Sequence, residues 1–288
     1  IGLTLKRITD NFTNVQLLVT GSSSFELQSN LNEPLTGRKY EYHLYPISTA
    51  ELYDSQGLLP VKQMFESRLI YGSYPDIINH TDEAKELLMN IANSYLYKDL
   101  LAMNEIRRPI LLEKLLIALA LQVSSEVSYN EVAQTIGTDN KTVEKYIDLL
   151  EKCYVIFRLN AFNRNLRTEL KKSKKIYFYD NGIRNAVIQN FAPLSLRQDT
   201  GALWENFFIS ERIKANHYNG NYAKSFFWRT TQQQEIDYIE EADGNFTAFE
   251  MKWNPNKRPI TFPSPFLNNY PVKETVVITP ENYLEWVM

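Results

Sequence analysis

The sequence is poor in the residues that stabilise small secreted domains and in those that bind zinc. It has a single cysteine, Cys153, and three scattered histidines, His43, His80 and His217. One cysteine excludes a disulfide framework and is typical of a reducing cytoplasm. One cysteine with three scattered histidines also argues against a zinc site. We therefore expect a cytoplasmic protein whose fold depends on hydrophobic cores.

Long apolar runs and an excess of positive charge are also missing. No run approaches the roughly 20 apolar residues that cross a bilayer. The sequence also shows no signal peptide, in which a charged segment and an apolar segment precede a cleavage site. We expect no membrane contact. The net charge of -3 argues against nucleic-acid binding by the whole surface, so such binding would need a local basic patch. By contrast, 44% of the 288 residues are hydrophobic and 13% are aromatic, which is enough for two or three domains.

Three acidic residues and a lysine near the end of the chain fall where they can meet. Glu250 and Lys252 share one face of a predicted strand, because side chains alternate along a strand. Asp237 lies in the preceding strand, and the polar turn at residues 243–245 lets the two strands pair as a hairpin. Glu205 lies on an earlier amphipathic helix and could reach the same corner. Converging carboxylates repel each other unless a cation joins them, and hard oxygen ligands suit magnesium or manganese.

This arrangement resembles the PD-(D/E)XK nuclease-like fold. Asp237, Glu250 and Lys252 match its core motif, and Glu205 matches the glutamate often found on its first helix. The resemblance implies an α/β restriction-endonuclease-like domain with a mixed sheet over residues 183–288. It also implies that Asp237, Glu250 and Lys252 are catalytic. Magnesium or manganese would be held by Glu205, Asp237 and Glu250, with Lys252 beside the attacking water.

Residues 126–182 have the pattern of a helix-turn-helix unit. Ser128 begins a short helix that Gly137 ends, and Asp139 caps a second helix. Two predicted strands that follow can form a wing, so we predict a winged helix-turn-helix. The predicted wing strands are residues 155–159 and 175–179.

The charges of this unit leave its partner open. The second helix holds three lysines against four acidic residues, whereas a helix that reads the major groove usually has a basic excess. The wing region is basic and could contact phosphates of DNA or another nucleic acid without reading bases. A solvated, mobile wing and a protein-docking unit are equally consistent with the pattern. The basic residues of the wing region are Arg158, Arg164, Arg167, Lys171, Lys172, Lys174 and Lys175.

The first sixty residues contain a predicted amphipathic helix and a predicted strand at residues 15–19, which ends at Thr20. With the segments 35–38 and 45–48, this part resembles the second half of the AAA-type ATPase domain in a prokaryotic family. That family joins a P-loop ATPase to a winged helix and a nuclease-like domain. The resemblance implies that Thr20 faces the nucleotide and that Arg38 contacts a phosphate.

The P-loop itself is missing from these residues, since no Gly-x-x-x-x-Gly-Lys-Ser/Thr sequence occurs. The backbone amides of that loop hold the phosphates, so we predict no tight ATP binding by this chain. We expect a fragment that lacks the P-loop half, with ATP a cofactor only of the full-length protein. The predicted order is an ATPase part (1–60), a helical linker (61–125), the winged helix-turn-helix (126–182) and the nuclease-like domain (183–288).

Two functions follow from these patterns. In the first, the chain is the C-terminal portion of an AAA-type ATPase whose nuclease-like domain hydrolyses phosphodiesters in nucleic acid with a divalent metal ion. In the second, the acidic residues form a structural network, and the chain is a non-catalytic nucleic-acid- or protein-binding module that the missing ATPase core moves. Oligomers could form through the ATPase part in either case.

Overall fold

The structure, a computed structural model, describes most of the chain as a mixed α/β protein with more than one domain. This confirms the predicted fold class. None of the helices in the described ranges combines the length and the apolar character that a membrane crossing requires. Arg38 and the wing residues 164–172 lie outside these ranges. The described residues are 2–12, 14–21, 39–93, 108–162, 174–254 and 260–288.

One mixed sheet runs through the second half of the chain. The spatial order of its seven strands is β1-β3-β2-β4-β5-β6-β7, with antiparallel neighbours except for the parallel pairs of β2 with β4 and β6 with β7. The two strands predicted for the wing therefore continue directly into the sheet predicted for the nuclease-like domain. The strands are β1 (Glu126–Val127), β2 (Ile156–Ala161), β3 (Lys174–Phe178), β4 (Lys224–Arg229), β5 (Glu235–Ala242), β6 (Asn245–Met251) and β7 (Val272–Ile278).

The helices of the described residues precede, interrupt and follow this sheet. The α-helices are α1 (Gly2–Asn11), α2 (Thr49–Gln56), α3 (Leu58–Gln63), α4 (Phe65–Tyr71), α5 (Pro75–Asn79), α6 (Ala84–Ile91), α7 (Pro109–Leu121), α8 (Tyr129–Ile136), α9 (Asn140–Lys152), α10 (Asn181–Val187), α11 (Thr200–Tyr218), α12 (Ser264–Asn269) and α13 (Leu284–Val287). Short 3₁₀ turns occur at Thr81–Glu83 and Leu194–Leu196.

The two helices predicted for the helix-turn-helix unit form where the capping residues place them. The Ser128 hydroxyl accepts a hydrogen bond from a backbone amide at the start of α8. Gly137 ends that helix in the left-handed region at φ 76°, which favours glycine. Asp139 caps α9 by accepting the Thr142 amide at 3.0 Å. Local capping chemistry thus fixes both helix boundaries.

Helix α11 packs on the sheet through a row of large apolar side chains. Leu203, Trp204 and Phe208 are fully buried, and they share a hydrophobic core with Tyr177 of β3 and Phe249 of β6. Burying each large apolar side chain stabilises the fold by roughly 2 kcal/mol. This packing holds the helix across the strands that carry the candidate site.

The strand predicted at residues 15–19 does not form. The segment has no β-pairing, and its apolar side chains are exposed, with Leu18 at 90%. A strand is stabilised by hydrogen bonds to a neighbouring strand, and none of the seven strands in the described ranges lies beside this one. An apolar, β-branched run was therefore insufficient to predict a strand.

Candidate active site

The candidate site lies at the open end of the β5–β6 hairpin. The predicted turn forms at Asp243 and Gly244, which both have positive φ angles. The ladder runs from that turn to the pair Tyr238 and Phe249, so Asp237 and Glu250 come next on the two strands. The Asp237 carboxylate accepts a hydrogen bond from the Met251 amide at 3.0 Å, which fixes it against the neighbouring strand.

Lys252 joins the two carboxylates of the hairpin. Its Nζ atom lies 2.7 Å from Glu250 Oε2 and 3.7 Å from Asp237 Oδ2. The structure thus brings together the three residues of the predicted motif. With 37% of its side chain exposed, Lys252 sits at the rim and can reach solvent or a ligand.

Glu205 enters the same site from α11, but its hydrogen bonds go to β3. Its Oε1 atom accepts the Tyr177 hydroxyl at 2.7 Å and lies 3.3 Å from Lys175 Nζ. Lys175 also forms an ion pair of 2.6 Å with Glu235. The side chain of Lys175 is only 2% exposed, so the sequence-based assignment of this lysine to a basic wing surface is wrong.

The buried carboxyls of the site resist ionisation. Burial raises the pKa of Glu205 to about 8; the negative charge of Asp237 adds to this effect, whereas Lys175 and Tyr177 oppose it. Burial and the charge of Asp237 raise the pKa of Glu250 to about 7, against the influence of Lys252. These carboxyls therefore keep a negative charge at neutral pH only at a free-energy cost, which an added cation would relieve.

The lysines of the site stay positively charged. Burial works to lower the pKa of Lys252, but the carboxylates of Asp237 and Glu250 outweigh it and raise that pKa. The pKa of Lys175 is also raised, because Glu205, Asp237 and Glu235 together outweigh its burial. Both ammonium groups can therefore donate hydrogen bonds at neutral pH, and neither can serve as a base.

The oxygen donors of this site are of the type that magnesium and manganese prefer. Within the described parts of the chain, however, no cluster of three or more His, Cys, Asp or Glu side chains is arranged to hold a metal ion. Glu205 and Glu235 share the Lys175 ammonium, and Asp237 and Glu250 share that of Lys252. Of the three predicted metal ligands, Glu205 thus pairs with Lys175, whereas Asp237 and Glu250 pair with Lys252.

The basic residues predicted for the wing are mostly engaged elsewhere or undescribed. Arg158 pairs with Asp148 at 2.7 Å and with Glu151, so its prediction as part of an open basic patch is also wrong. Lys174 lies over the ring of Tyr129, with 5.3 Å from Nζ to the ring centroid. Acidic residues on α9 neutralise Arg158. The charges of the wing region alone could not predict this pairing.

The predicted nucleotide contacts are not part of the acidic site. Thr20 is exposed and belongs to no helix or strand, and Arg38 lies outside the described residues. Their contact with a nucleotide therefore stays a prediction.

Comparison with known proteins gives matches along most of the chain. Residues 1–53 match an AAA domain, residues 62–194 match a domain of unknown function (DUF8612), and residues 200–285 match another domain of unknown function (DUF4143). These matches fit an ATPase-like family with an AAA domain. The candidate site takes residues from both domains of unknown function, since Lys175 belongs to the first and Glu205 to the second.

Similar proteins occur in distant bacteria and in an archaeon, and all three examples are described as uncharacterized. A Haemophilus influenzae protein is 27% identical over 186 residues, covering 61% of this chain and 46% of that protein. One from Mycobacterium tuberculosis is 28% identical over 124 residues, covering 42% and 27% respectively. One from Methanocaldococcus jannaschii is 23% identical over 254 residues, covering 82% and 54%. The chain thus spans about half of these relatives, or less. No solved structure gives a significant match.

Sequence analysis missed three residues of the site: Lys175, Tyr177 and Glu235. Two signals for them were present in the sequence. Glu235 precedes Asp237 by two positions and so shares its face of β5, and Lys175 and Tyr177 share a face of β3 for the same reason. What the sequence did not show was that β3 and α11 meet, which depends on pairing between distant strands.

Proposed function

We propose that the chain is the C-terminal portion of an AAA-type ATPase, and that its acid–lysine site hydrolyses phosphodiester bonds in nucleic acid with a magnesium or manganese ion. The observation that carries this proposal is the meeting of Asp237, Glu250 and Lys252 at the open end of one hairpin. The raised pKa of Glu250 supports it, since a cation at this point would stabilise the charged carboxylate.

Asp237 and Glu250 fit a magnesium or manganese ion, because such ions are commonly held by one or two carboxylates together with waters and substrate phosphates. When bound, such an ion stabilises the charge that develops on a phosphate in the transition state and activates water. Lys252 is charged and partly exposed, so it can donate a hydrogen bond to a phosphate oxygen or orient the attacking water. We also propose that the helices α8 and α9 form a winged helix-turn-helix with β2 and β3.

The test is incubation of supercoiled plasmid with the purified chain and Mn²⁺ or Mg²⁺. We expect nicked or linear product that disappears with a chelator and falls at least about 100-fold in Glu250→Gln and Lys252→Met. Glu274→Gln is the matched control, because Glu274 is exposed on β7 of the same sheet and should cut like the parent. Absence of cutting by the parent protein, or equal cutting by Glu250→Gln, would contradict the proposal.

A non-catalytic binding module is the second candidate. It is favoured by the ion pairs of the site, in which each carboxylate contacts a lysine within 4 Å. In that case the carboxylates and lysines stabilise the junction of α11 with the sheet. Fluorescence anisotropy with labelled DNA and RNA, with and without chelator, would then show binding that does not need metal and is not followed by cleavage.

A further inference from the structure

Two of the three histidines meet near the end of α11, where the segment that matches the AAA domain contacts the segment matched over 200–285. The rings of His43 and His217 lie edge to face, with 5.1 Å between their centroids. We propose that this pair is a pH-sensitive latch, which holds residues 43–45 against α11 while the imidazoles are neutral and releases them when both are protonated. The latch controls how firmly the AAA-matched segment is attached to α11, and it does not depend on the proposed nuclease activity.

Residues 43–45 contact α11 through rings and one backbone hydrogen bond. The Tyr45 ring lies against His217, with 5.4 Å between the centroids, and the Tyr45 amide donates to the Tyr218 hydroxyl at 3.2 Å. Leu44, between the two inward-facing residues, is 91% exposed. This contact therefore consists mainly of His43 and Tyr45 packed on the last turn of α11.

Tyr154 holds His43 in place. Its hydroxyl forms a hydrogen bond with His43 Nδ1, and its backbone is in the left-handed region at φ 55°. That region is unfavourable for residues other than glycine, and such strain is often found at functional positions. A neutral imidazole can accept the hydroxyl hydrogen, whereas an imidazolium can still donate one. Tyr154 thus keeps His43 beside His217 in both charge states.

A closed latch disfavours the second proton. Partial burial, and after it the charge of His43, lower the pKa of His217 below its ordinary value of 6.5. A histidine whose pKa is lowered by a contact binds its proton less readily when that contact is made. The contact is therefore complete above about pH 6.5 and weakens as the pH falls below it. Two like charges ~5 Å apart in water weaken proton binding about fourfold.

The charged groups around the latch leave this repulsion uncompensated. Glu41 pairs with Lys39, which lowers its pKa most, whereas the charge of His43 contributes least. The tyrosine hydroxyls of the cluster are neutral at these pH values, because tyrosine ordinarily titrates near pH 10. Three further carboxylates face these tyrosines and have other partners: Glu51 accepts the Ser48 amide, Glu211 pairs with Lys214 and Arg68, and Glu151 pairs with Arg158.

The test measures hydrogen exchange of the Tyr45 amide in the full chain by nuclear magnetic resonance. Dividing the observed rate by the intrinsic rate of an unprotected amide gives the open fraction of the latch. We expect this fraction to rise at least about fourfold as the pH falls from about 7.5 to about 5.5. The Thr49 amide is the internal control, because its acceptor Glu211 has a pKa of about 2 and stays charged over this range.

His43→Gln removes one of the two charges, so its open fraction should change less than about twofold over the same range, and His217 should bind its proton about fourfold more tightly. His80→Gln is the matched control, because His80 is exposed at the end of α5 and should respond like the parent.

If His43→Gln opens the latch at every pH, His217→Gln repeats the test with the bond between His43 and Tyr154 retained. An open fraction of the parent that does not change with pH would overturn the inference. So would an equal rise at the Thr49 amide, which would indicate general unfolding, or a rise in His217→Gln as large as that in the parent.

Discussion

Replacing Glu211 by glutamine tests whether a buried ion cluster holds the first half of the chain against α11. Glu211 is 2% exposed, and its carboxylate lies 2.8 Å from Lys214 Nζ and 3.4 Å from Arg68 Nη2. It also accepts the amide and the hydroxyl of Thr49, each at 2.6 Å. Arg68 and Lys214 are equally buried. Glutamine keeps the shape of the side chain but leaves two buried cations without this negative charge.

Two routes give the size of the effect. Breaking a buried ion pair by removing one partner destabilises a protein by about 3–5 kcal/mol. Burial would raise the pKa of Glu211, but Lys214 and Arg68 outweigh burial and lower that pKa from 4.5 to about 2. This difference corresponds to roughly 3 kcal/mol at about 1.4 kcal/mol per unit. We therefore expect Glu211→Gln to lower the free energy of unfolding by about 3 kcal/mol.

Urea unfolding followed by circular dichroism and tryptophan fluorescence measures this loss. Glu274→Gln, an exposed change on β7, should stay within about 0.5 kcal/mol of the parent. The double variant Glu211→Gln with Lys214→Met should lose less than the sum of the two single variants, because the two groups interact directly. A loss below about 1 kcal/mol in Glu211→Gln would show that the cluster is not the electrostatic junction described here.

Two further predictions concern the Glu211 cluster and the neighbouring contact between α10 and α4. Because the pKa of Glu211 is lowered in the folded protein, its contribution to stability is complete above about pH 4.5 and is lost as the pH falls towards 2. The urea midpoints of the parent and Glu211→Gln should therefore converge in acid. A difference between the two midpoints that stays constant with pH would contradict the lowered pKa of Glu211. A Cβ atom at Gly182 would lie 2.1 Å from the carbonyl oxygen of Tyr71, so Gly182→Ala should destabilise the protein by at least about 2 kcal/mol. Gly201→Ala, on α11 with open space around the new Cβ atom, should be neutral or stabilise by up to about 1 kcal/mol, and equal thermal shifts in the two variants would refute the contact at Gly182.

Local signals in the sequence predicted much of the site. Alternation along two strands and a polar turn predicted the hairpin that places Asp237 beside Glu250, because register in a hairpin is set by its own residues. Capping residues predicted the bounds of α8 and α9 in the same way. Each of these features depends on residues that are close in the sequence.

The predictions that proved wrong concern residues whose partners are far away in the sequence. Lys175 belongs to a basic run, which predicts an exposed position, whereas its partners Glu205 and Glu235 lie 30 and 60 positions further on. Arg158 was assigned to the same surface but is neutralised from α9. Charge patterns along a chain predict exposure only when no distant carboxylate folds against them. The strand predicted at residues 15–19 does not form for a related reason, since a strand needs a neighbouring strand to pair with.

The site depends on a short connection between two segments that match different family models. β2 and β4 pair through only two positions, Asn160 with Phe226 and Ala161 with Phe227, and this pairing joins β3 to the strands that carry Asp237 and Glu250. The segment matched over 200–285 contains all four carboxylates of the site but lacks the buried ammonium of Lys175. By itself that segment would hold these acids close together with one exposed lysine, which is unfavourable in a buried setting. Both segments are therefore needed to build the site, because β3 is joined to the hairpin through the β2–β4 pairing and through its contacts with α11.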